Sequence, residues 1–412
     1  MAGDWTEKLL GDVLTLQRGF DLPTQDRGTG AVPIVSSSGI SGTHSEHKVI
    51  GPGVVTGRYG TIGRVFYLRE NFWPLNTTLY IRDFKGNDER FLYYLLQTLD
   101  YQAHNDKSSV PGVNRNHLHL IPVRVPAEVG EQRAIAQVLG TLDDKIELNQ
   151  RMNETLVRIA QAIFKSWFVN FDPVSTKTEG SDSALPETFA DLSPDSFDDS
   201  GVGRIPKGWS VAKIRDLACN VQYGLTTSAC SEPVGPKFLR ITDVQGGRVD
   251  WPQVPYCRAT VEERERYRLR PHDIVVARTG ASTGENLYLA AVPDAVFASY
   301  LVRFQFRDPA VARFIGAFMR TDAYFEYVAN SIGGSAQPNA SAQVLAGAPV
   351  VVPPIELSRR FAQSVAPLDQ KMAANDVENT TLAALRDALL PKLISGELRI
   401  KDAERIAVES DL

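Results

Sequence analysis

The chain has 412 residues, 43% of them apolar and 23% charged, with a formal net charge of −5. This composition excludes a fibrous or disordered chain, and no apolar run approaches the roughly 18 residues of a membrane-spanning helix. Three isolated cysteines, Cys219, Cys230 and Cys257, form no CxxC pair; they argue for a reducing cytoplasm and against a zinc site or disulfide framework.

The N-terminal MAGDWTEKLL lacks the layout of a signal peptide. The charge is also uneven. Residues 172–201 carry eight acids and one base, a net −7, so the remainder sums to +2. Residues 202–353 carry 17 bases and 13 acids, or +4. The overall charge therefore does not exclude a nucleic-acid partner for the globular parts.

In chain order, GDVLTLQRG, VPIVSSSG, VVTGRYG, RVFYLR and LNTTLYIRD are short apolar runs bounded by turn residues. They predict strands. ERFLYYLLQTLD (89–100) predicts a helix, followed by a Gly/Ser/Pro loop and a short VRVP strand. A long helix follows, from about Glu131 to Trp167, roughly 55 Å at 1.5 Å per residue. It ends in FKSWFVNFDPV and gives way to an Asp-, Ser- and Pro-rich stretch that predicts a linker. The order then recurs. KFLRITDV, DIVVART, ENLYLA and SYLVRFQFR predict strands, ARFIGAFMRTDAYFEYVAN (312–330) a helix, VVVP a strand, and a second long helix closes the sequence.

The second half repeats the first. Trp5-Thr6 is matched by Trp209-Ser210, and VVTGRYGTIGRVFYL (54–68) by IVVARTGASTGENLYL (274–289). Arg58, Gly60, Gly63 and Tyr67 fall on Arg278, Gly280, Gly284 and Tyr288. PGVNRNHLHLIPVRVP (111–126) lies over PNASAQVLAGAPVVVP (338–353). The offset grows from 204 to 227, which places insertions in loops of the second copy.

At a constant offset of 226, Ile135, Leu139, Leu142, Ile146, Asn149, Asn153, Leu156 and Ile163 fall on Phe361, Val365, Leu368, Met372, Asn375, Asn379, Leu382 and Leu389. These positions step mainly by 4 and 3, the apolar seam of a coiled coil. Two asparagines interrupt each seam at its middle. Asn149, Asn153, Asn375 and Asn379 would meet if the helices pair antiparallel, and would then fix register. The alternative is two amphipathic helices, each on its own lobe, with the asparagines half exposed.

Catalytic motifs are scarce. There is no GxxxxGKS/T, no HExxH and no PD…(D/E)xK-like cluster, and neither His44/His47 nor His117/His119 has a nearby acid or Cys ligand set. NFDP (170–173) lacks the second proline of an adenine-methyltransferase motif and has no cofactor-binding glycine motif upstream. The recurring chemistry lies elsewhere. Arg58 and Arg278 each end a strand and open a glycine-rich turn, with Tyr59 and Thr61 or Thr279, Ser282 and Thr283 beside them. Such a turn suits a phosphate or a base edge; the alternative is a tight turn with a solvated arginine. Ser36-Ser37-Ser38, Asn76-Thr77, Asn114 and Arg115, Arg240 with Thr242 and Asp243, Ser299-Tyr300, Gln337 and Asn339 are further polar loop clusters, at equivalent places in the two lobes.

Together, the Trp near each lobe start, RYGTIG and RTGASTG, EQRAIAQVLGTLDDKIELNQRMNETL, FKSWFVNFDPV and LLPKLISGELRI resemble the specificity subunit of type I restriction–modification systems, over nearly the whole chain. The resemblance implies an α/β (α+β) fold: two target-recognition domains of mixed β-structure with short helices, joined by two long helices in an antiparallel coiled coil with pseudo-two-fold symmetry. It implies target-recognition domains over 1–126 and 204–353, spacer helices over 127–171 and 354–400, an acidic linker over 172–203 and a tail over 401–412. It further implies a non-catalytic chain that reads one half of a bipartite, asymmetric DNA target with each lobe. Two modification subunits and restriction subunits would be its partners. S-adenosylmethionine, ATP and Mg2+ would sit on those partners and no cofactor on this chain. Phe164, Trp167, Phe168 and Phe171 then close the first long helix by packing on the other copy's lobe or helix, on a modification subunit, or on the local core. The competing readings are a coiled-coil scaffold that binds only protein and a stand-alone methyltransferase or nuclease.

Overall fold

The structure, a computed structural model, describes residues 5–104, 111–179, 192–244, 246–332 and 338–400. The chain forms two compact units, one of Met1–Leu148 with Glu378–Leu412 and one of Asn149–Val377. The first long helix (Val129–Phe168) and the second (Ile355–Ser395) each contribute to both units. The domain limits read from the sequence treat the helices as separate spacers; by compactness, each lobe instead groups with half of each helix.

In the first unit, β1 (Trp5–Leu9) pairs antiparallel with β9 (Pro122–Pro126), from Trp5 opposite Pro126 to Leu9 opposite Pro122. The strand that enters the lobe is thus tied to the strand that leaves it for the long helix. Between them lies a four-stranded antiparallel sheet in the order β2 (Thr15–Arg18), β8 (Thr78–Asp83), β5 (Gly53–Gly57), β6 (Val65–Leu68). Every residue of β5 is buried, Thr56 included. A smaller sheet has the order β4 (Gly39–His44), β3 (Val32–Ser36), β7 (Trp73–Pro74), with β3 and β7 parallel.

The helix Glu89–Gln97 starts where Asp88 accepts a hydrogen bond from the Phe91 N–H. It buries Phe91, Leu92, Tyr94, Leu95 and Leu96, which share one core with Leu16, Val54 and Ile81 of the sheet. Ile135, Leu139 and Leu142 of the first long helix and Leu382, Leu389 and Leu393 of the second complete that core. Glu131 pairs with Arg399, Asp143 with Arg386 and Lys145 with Glu378. One number rises as the other falls, so the two helices run antiparallel here.

The second unit repeats this plan. β12 (Ser210–Lys213) pairs with β21 (Pro349–Val352), and the four-stranded sheet has the order β13 (Asn220–Tyr223), β20 (Leu301–Gln305), β17 (Ile274–Ala277), β18 (Asn286–Tyr288). The smaller sheet gains a strand: β14 (Ala229–Cys230), β16 (Tyr256–Cys257), β15 (Lys237–Leu239), β19 (Ala295–Phe297), with β15 and β19 parallel. The short helix Val261–Tyr267 is a further addition, in line with the growing offset of the repeat.

The aromatics at the end of the first long helix lie inside this second unit. Phe164, Trp167 and Phe168 are 2%, 6% and 5% exposed. Phe164 and Phe168 meet Phe314 of the lobe at 5.5 and 5.0 Å and Phe361 of the second long helix at 5.6 and 5.5 Å. Phe171, half-buried with φ of 56°, closes over Trp209 at 5.6 Å. The candidate docking of a modification subunit on Phe164, Trp167 and Phe168 is therefore corrected. Their surface is already covered by the second lobe and the second long helix, and opening that core would expose several large rings at about 2 kcal/mol or more each.

The acidic stretch 172–203 is not all linker. It contains a helix (Asp172–Glu179), and β10 (Phe197–Ser200) forms a hairpin with β11 (Gly203–Pro206). Residues 180–191 and the tail 401–412 lie outside the described residues.

Within the second unit two of the four seam asparagines, Asn153 and Asn375, meet. Asn375 Nδ2 donates to Asn153 Oδ1 at 2.7 Å, and Asn153 Nδ2 donates to Asp376 Oδ1 at 2.8 Å. Asn149, Asn153 and Asn375 are at most 1% exposed. Asn379 belongs to the first unit and is half-buried there.

Candidate nucleic-acid interface

Strand register makes the two lobes comparable residue by residue. Gly57 pairs with Thr78, and Ala277 with Leu301. Arg58 and Arg278 therefore leave the same strand end. The Arg58 N–H donates to Thr77 O at 2.9 Å and the Arg278 N–H to Tyr300 O at 3.0 Å. Each turn then bridges to the loop before the last strand. Val113 N donates to Arg58 O and Gly60 N to Pro111 O; Ala340 N donates to Arg278 O and Gly280 N to Pro338 O. Gly60, Gly63, Gly280 and Gly284 all have positive φ, between 75° and 94°. The repeated glycines thus answer a backbone requirement that L side chains meet only with strain.

Both guanidinium groups are half-buried and lie over an aromatic ring. Arg58 sits 4.4 Å from the Tyr59 ring centroid, Arg278 4.8 Å from that of Tyr223. Arg58 also donates to Tyr59 Oη at 3.2 Å and Asn76 O at 3.5 Å, and Arg278 donates to Asn339 Oδ1 at 3.2 Å. Among the other half-buried arginines, Arg90, Arg240, Arg313 and Arg320 each have a carboxylate within 4 Å, whereas Arg27 and Arg248 donate to the backbone carbonyls of Ser41 and Gln150. Among the described residues, Arg58 and Arg278 form no ion pair with an acid. A half-buried guanidinium fork without a carboxylate partner has donors to offer to an anion.

The remaining candidates divide by role. Thr61 is exposed beside Arg58. Thr279 bridges to Asn339, Ser282 is half-buried, and the Thr283 hydroxyl is turned inward to Gly280 O at 2.7 Å. Asn76 donates to Asp21, which also pairs with Arg18 at 3.1 Å. Asn114 caps the helix Arg115–His119 by accepting from the Asn116 N–H at 3.0 Å; Ser341 caps Ala342–Leu345 in the second lobe. Arg115 is exposed on that first helix. Arg240 is held by Asp243 through two hydrogen bonds of 3.0 and 2.8 Å, so its fork is already occupied. Gln337 lies outside the described residues.

The serine cluster also belongs to the patch. Arg64 Nη1 donates to Ser38 O at 3.2 Å, and a Cβ on Gly57 would come within 3.3 Å of the Ser37 Cβ. Through the parallel pairs Val35–Pro74 and Leu239–Phe297, Ser36 occupies the register place of Arg240.

Sequence reasoning missed two features. Tyr223 comes from β13, where lobe 1 has Arg18: Arg18 pairs with Leu79, Tyr223 with Val302. No local signal marks it. The second is a clamp from lobe to helix. Arg90 binds Asp144 (2.9 Å for one of its contacts) and Arg313 binds Asp369 at 2.8 and 3.1 Å. Arg90-Phe91 recurs as Arg313-Phe314, so the pattern was visible but its partner was not. The Arg90 guanidinium holds the Asp144 carboxyl below the usual carboxylate range.

Two histidines, His44 and His119, serve the backbone. His44 Nδ1 accepts from the Gly28 N–H at 2.8 Å and His119 Nε2 from the Leu16 N–H at 2.9 Å. Among the described residues no group of three or more His, Cys, Asp or Glu could hold a metal ion, and no helix is long and apolar enough to cross a membrane.

The sequence model of the type I restriction modification DNA specificity domain matches residues 2–158. The MjaIX specificity subunit of a type I restriction enzyme of Methanocaldococcus jannaschii is 26% identical over 80% of this chain and 74% of its own. The HindI specificity subunit of Haemophilus influenzae is 23% identical over 75% of this chain and 77% of its own. Among solved structures, the S subunit of a type I restriction–modification system from M. genitalium aligns over 95% of this chain and 96% of its own, with a TM-score of 0.54 at 17% identity; it shares the fold. With two lobes of one plan and a matched specificity domain in the first, this chain is similar to the DNA specificity subunits of type I restriction–modification systems.

Proposed function

We propose that each lobe reads one half of a bipartite, asymmetric DNA target and that the paired long helices set the gap between the halves. The chain is the sequence-specific DNA-recognition subunit and carries no catalysis of its own. Two modification subunits dock on it and supply S-adenosylmethionine chemistry; restriction subunits add the ATP- and Mg2+-dependent steps. The observation that carries this reading is the repetition of one turn, Arg58–Gly63 and Arg278–Gly284, on one sheet register, amid loop residues that differ. A shared frame with unlike loops suits two readers of unlike sequences.

The test is a genome-wide map of N6-methyladenine in cells expressing the chain with its modification partner. A split motif with two different halves and a fixed gap is expected. A continuous motif, or methylation that is unchanged when the chain is omitted, would overturn the reading.

A further inference from the structure

Two lobes that read different half-sites share an arginine that is prepared in the same way by different means. In lobe 1 the ring under the guanidinium is the next residue, Tyr59. In lobe 2 that position is Thr279, and the ring is Tyr223, 55 residues before Arg278 on β13, which is separated from β17 by β20. The stack is kept although its source has changed. Stacking, with two polar contacts on Arg58 and one on Arg278, fixes the plane of each guanidinium and leaves other N–H donors unused by any acid. The residues around the arginine are not kept. Asn76-Thr77 stands where lobe 2 has Ser299-Tyr300, since Thr77 O and Tyr300 O accept from the two arginine N–H groups. Tyr300 is 58% exposed.

We infer that Arg58 and Arg278 are backbone anchors, each gripping a phosphate of its own half-site, and that base discrimination lies in their unlike neighbours, Asn76-Thr77 in lobe 1 and Ser299-Tyr300 in lobe 2. A contact common to two readers of different sequences carries no information about either sequence; it sets position. A planar fork with no carboxylate partner matches a phosphate. The inference rests on the DNA-recognition reading above and divides labour within it.

The experiment measures binding of the full chain, assembled with its modification subunits, to duplexes carrying the mapped motif. One duplex is cognate and one has a mismatch in the lobe 2 half-site, and both are titrated over a range of salt. Arg278→Ala should weaken both duplexes by the same factor and flatten the log–log salt slope by about 0.9, the value of one lost phosphate contact. Arg278→Lys should retain the slope. Tyr300→Thr should leave the slope alone and change the cognate-to-mismatch ratio by about 5- to 100-fold. Equal thermal unfolding of the variants and the parent guards against a collapsed turn. If Arg278→Ala erases the preference while the slope stays, Arg278 reads a base and the inference fails. Arg278→Ala with unchanged affinity and slope also overturns it. A parent complex with no preference between the duplexes instead sinks the DNA-recognition reading itself.

Discussion

Replacing Asn153 and Asn375 separately and together tests the polar layer in the seam. Asn375 Nδ2 donates to Asn153 Oδ1, and Asn153 Nδ2 to Asp376. Both asparagines are at most 1% exposed, so water does not replace a lost partner. Asn153→Leu should cost about 1–3 kcal/mol, because it leaves the Asn375 amide buried without its acceptor. Asn375→Leu should cost less, since Asn153 keeps its bond to Asp376. The double variant removes the mutual hydrogen bond with both of its partners and gains apolar packing. It should therefore be more stable than the sum of the singles predicts, by about 1–2 kcal/mol. Urea denaturation of the full chain, with the midpoint compared at constant m-value, measures the cycle. Single changes that each cost under about 0.5 kcal/mol and simply add in the double would refute a coupled, register-fixing layer.

Arg313→Ala should destabilise the second unit by about 3 kcal/mol, because it strands the little-exposed Asp369 carboxylate; thermal unfolding reads this, and Asp369→Asn in the same background should recover part of the loss. The Asp144 carboxyl is held low by Arg90, so its contribution to stability is present above the unfolded carboxylate pKa of about 4 and is lost as pH falls through the folded value. Asp144→Asn should accordingly flatten the acid limb of a stability-against-pH curve below about pH 4 while lowering stability at neutral pH. Inserting seven residues into both long helices should lengthen the gap in the methylation motif by about 3 base pairs, since seven residues add about 10.5 Å against a rise of 3.4 Å; an unchanged gap would remove the helices as the spacing element. Exchanging residues 1–126 for another lobe should alter one half of the motif only.

Several features were legible in the sequence because they are set by local periodicity or backbone need. The seam follows from the recurring steps of 4 and 3, and it is filled as read: Ile135, Leu139 and Phe361, Val365 are buried at matching positions. The glycines of RYGTIG and RTGASTG mark turns whose φ is positive in all four cases. Phe164, Trp167 and Phe168 announced a buried helix end, though not what covers it. Asn114 illustrates the limit of such reading. A polar loop residue before a short helix serves equally as ligand contact or cap, and here its side chain is spent on the Asn116 N–H.

The sequence by itself determined that there are two copies of one lobe, that each runs into a long seam-bearing helix, and where the arginine turns lie. These follow from spacing along the chain, which fixes which side chains share a face. Only the tertiary structure decided which distant groups complete each site. Tyr223 supplies the ring that Tyr59 supplies in the other lobe, Asp369 receives Arg313, and Phe361 covers Phe164 across 197 positions of sequence. The reason is physical. A periodic pattern states that a surface must be buried, whereas the choice of what buries it depends on sheet register and on the packing of segments far apart in the chain.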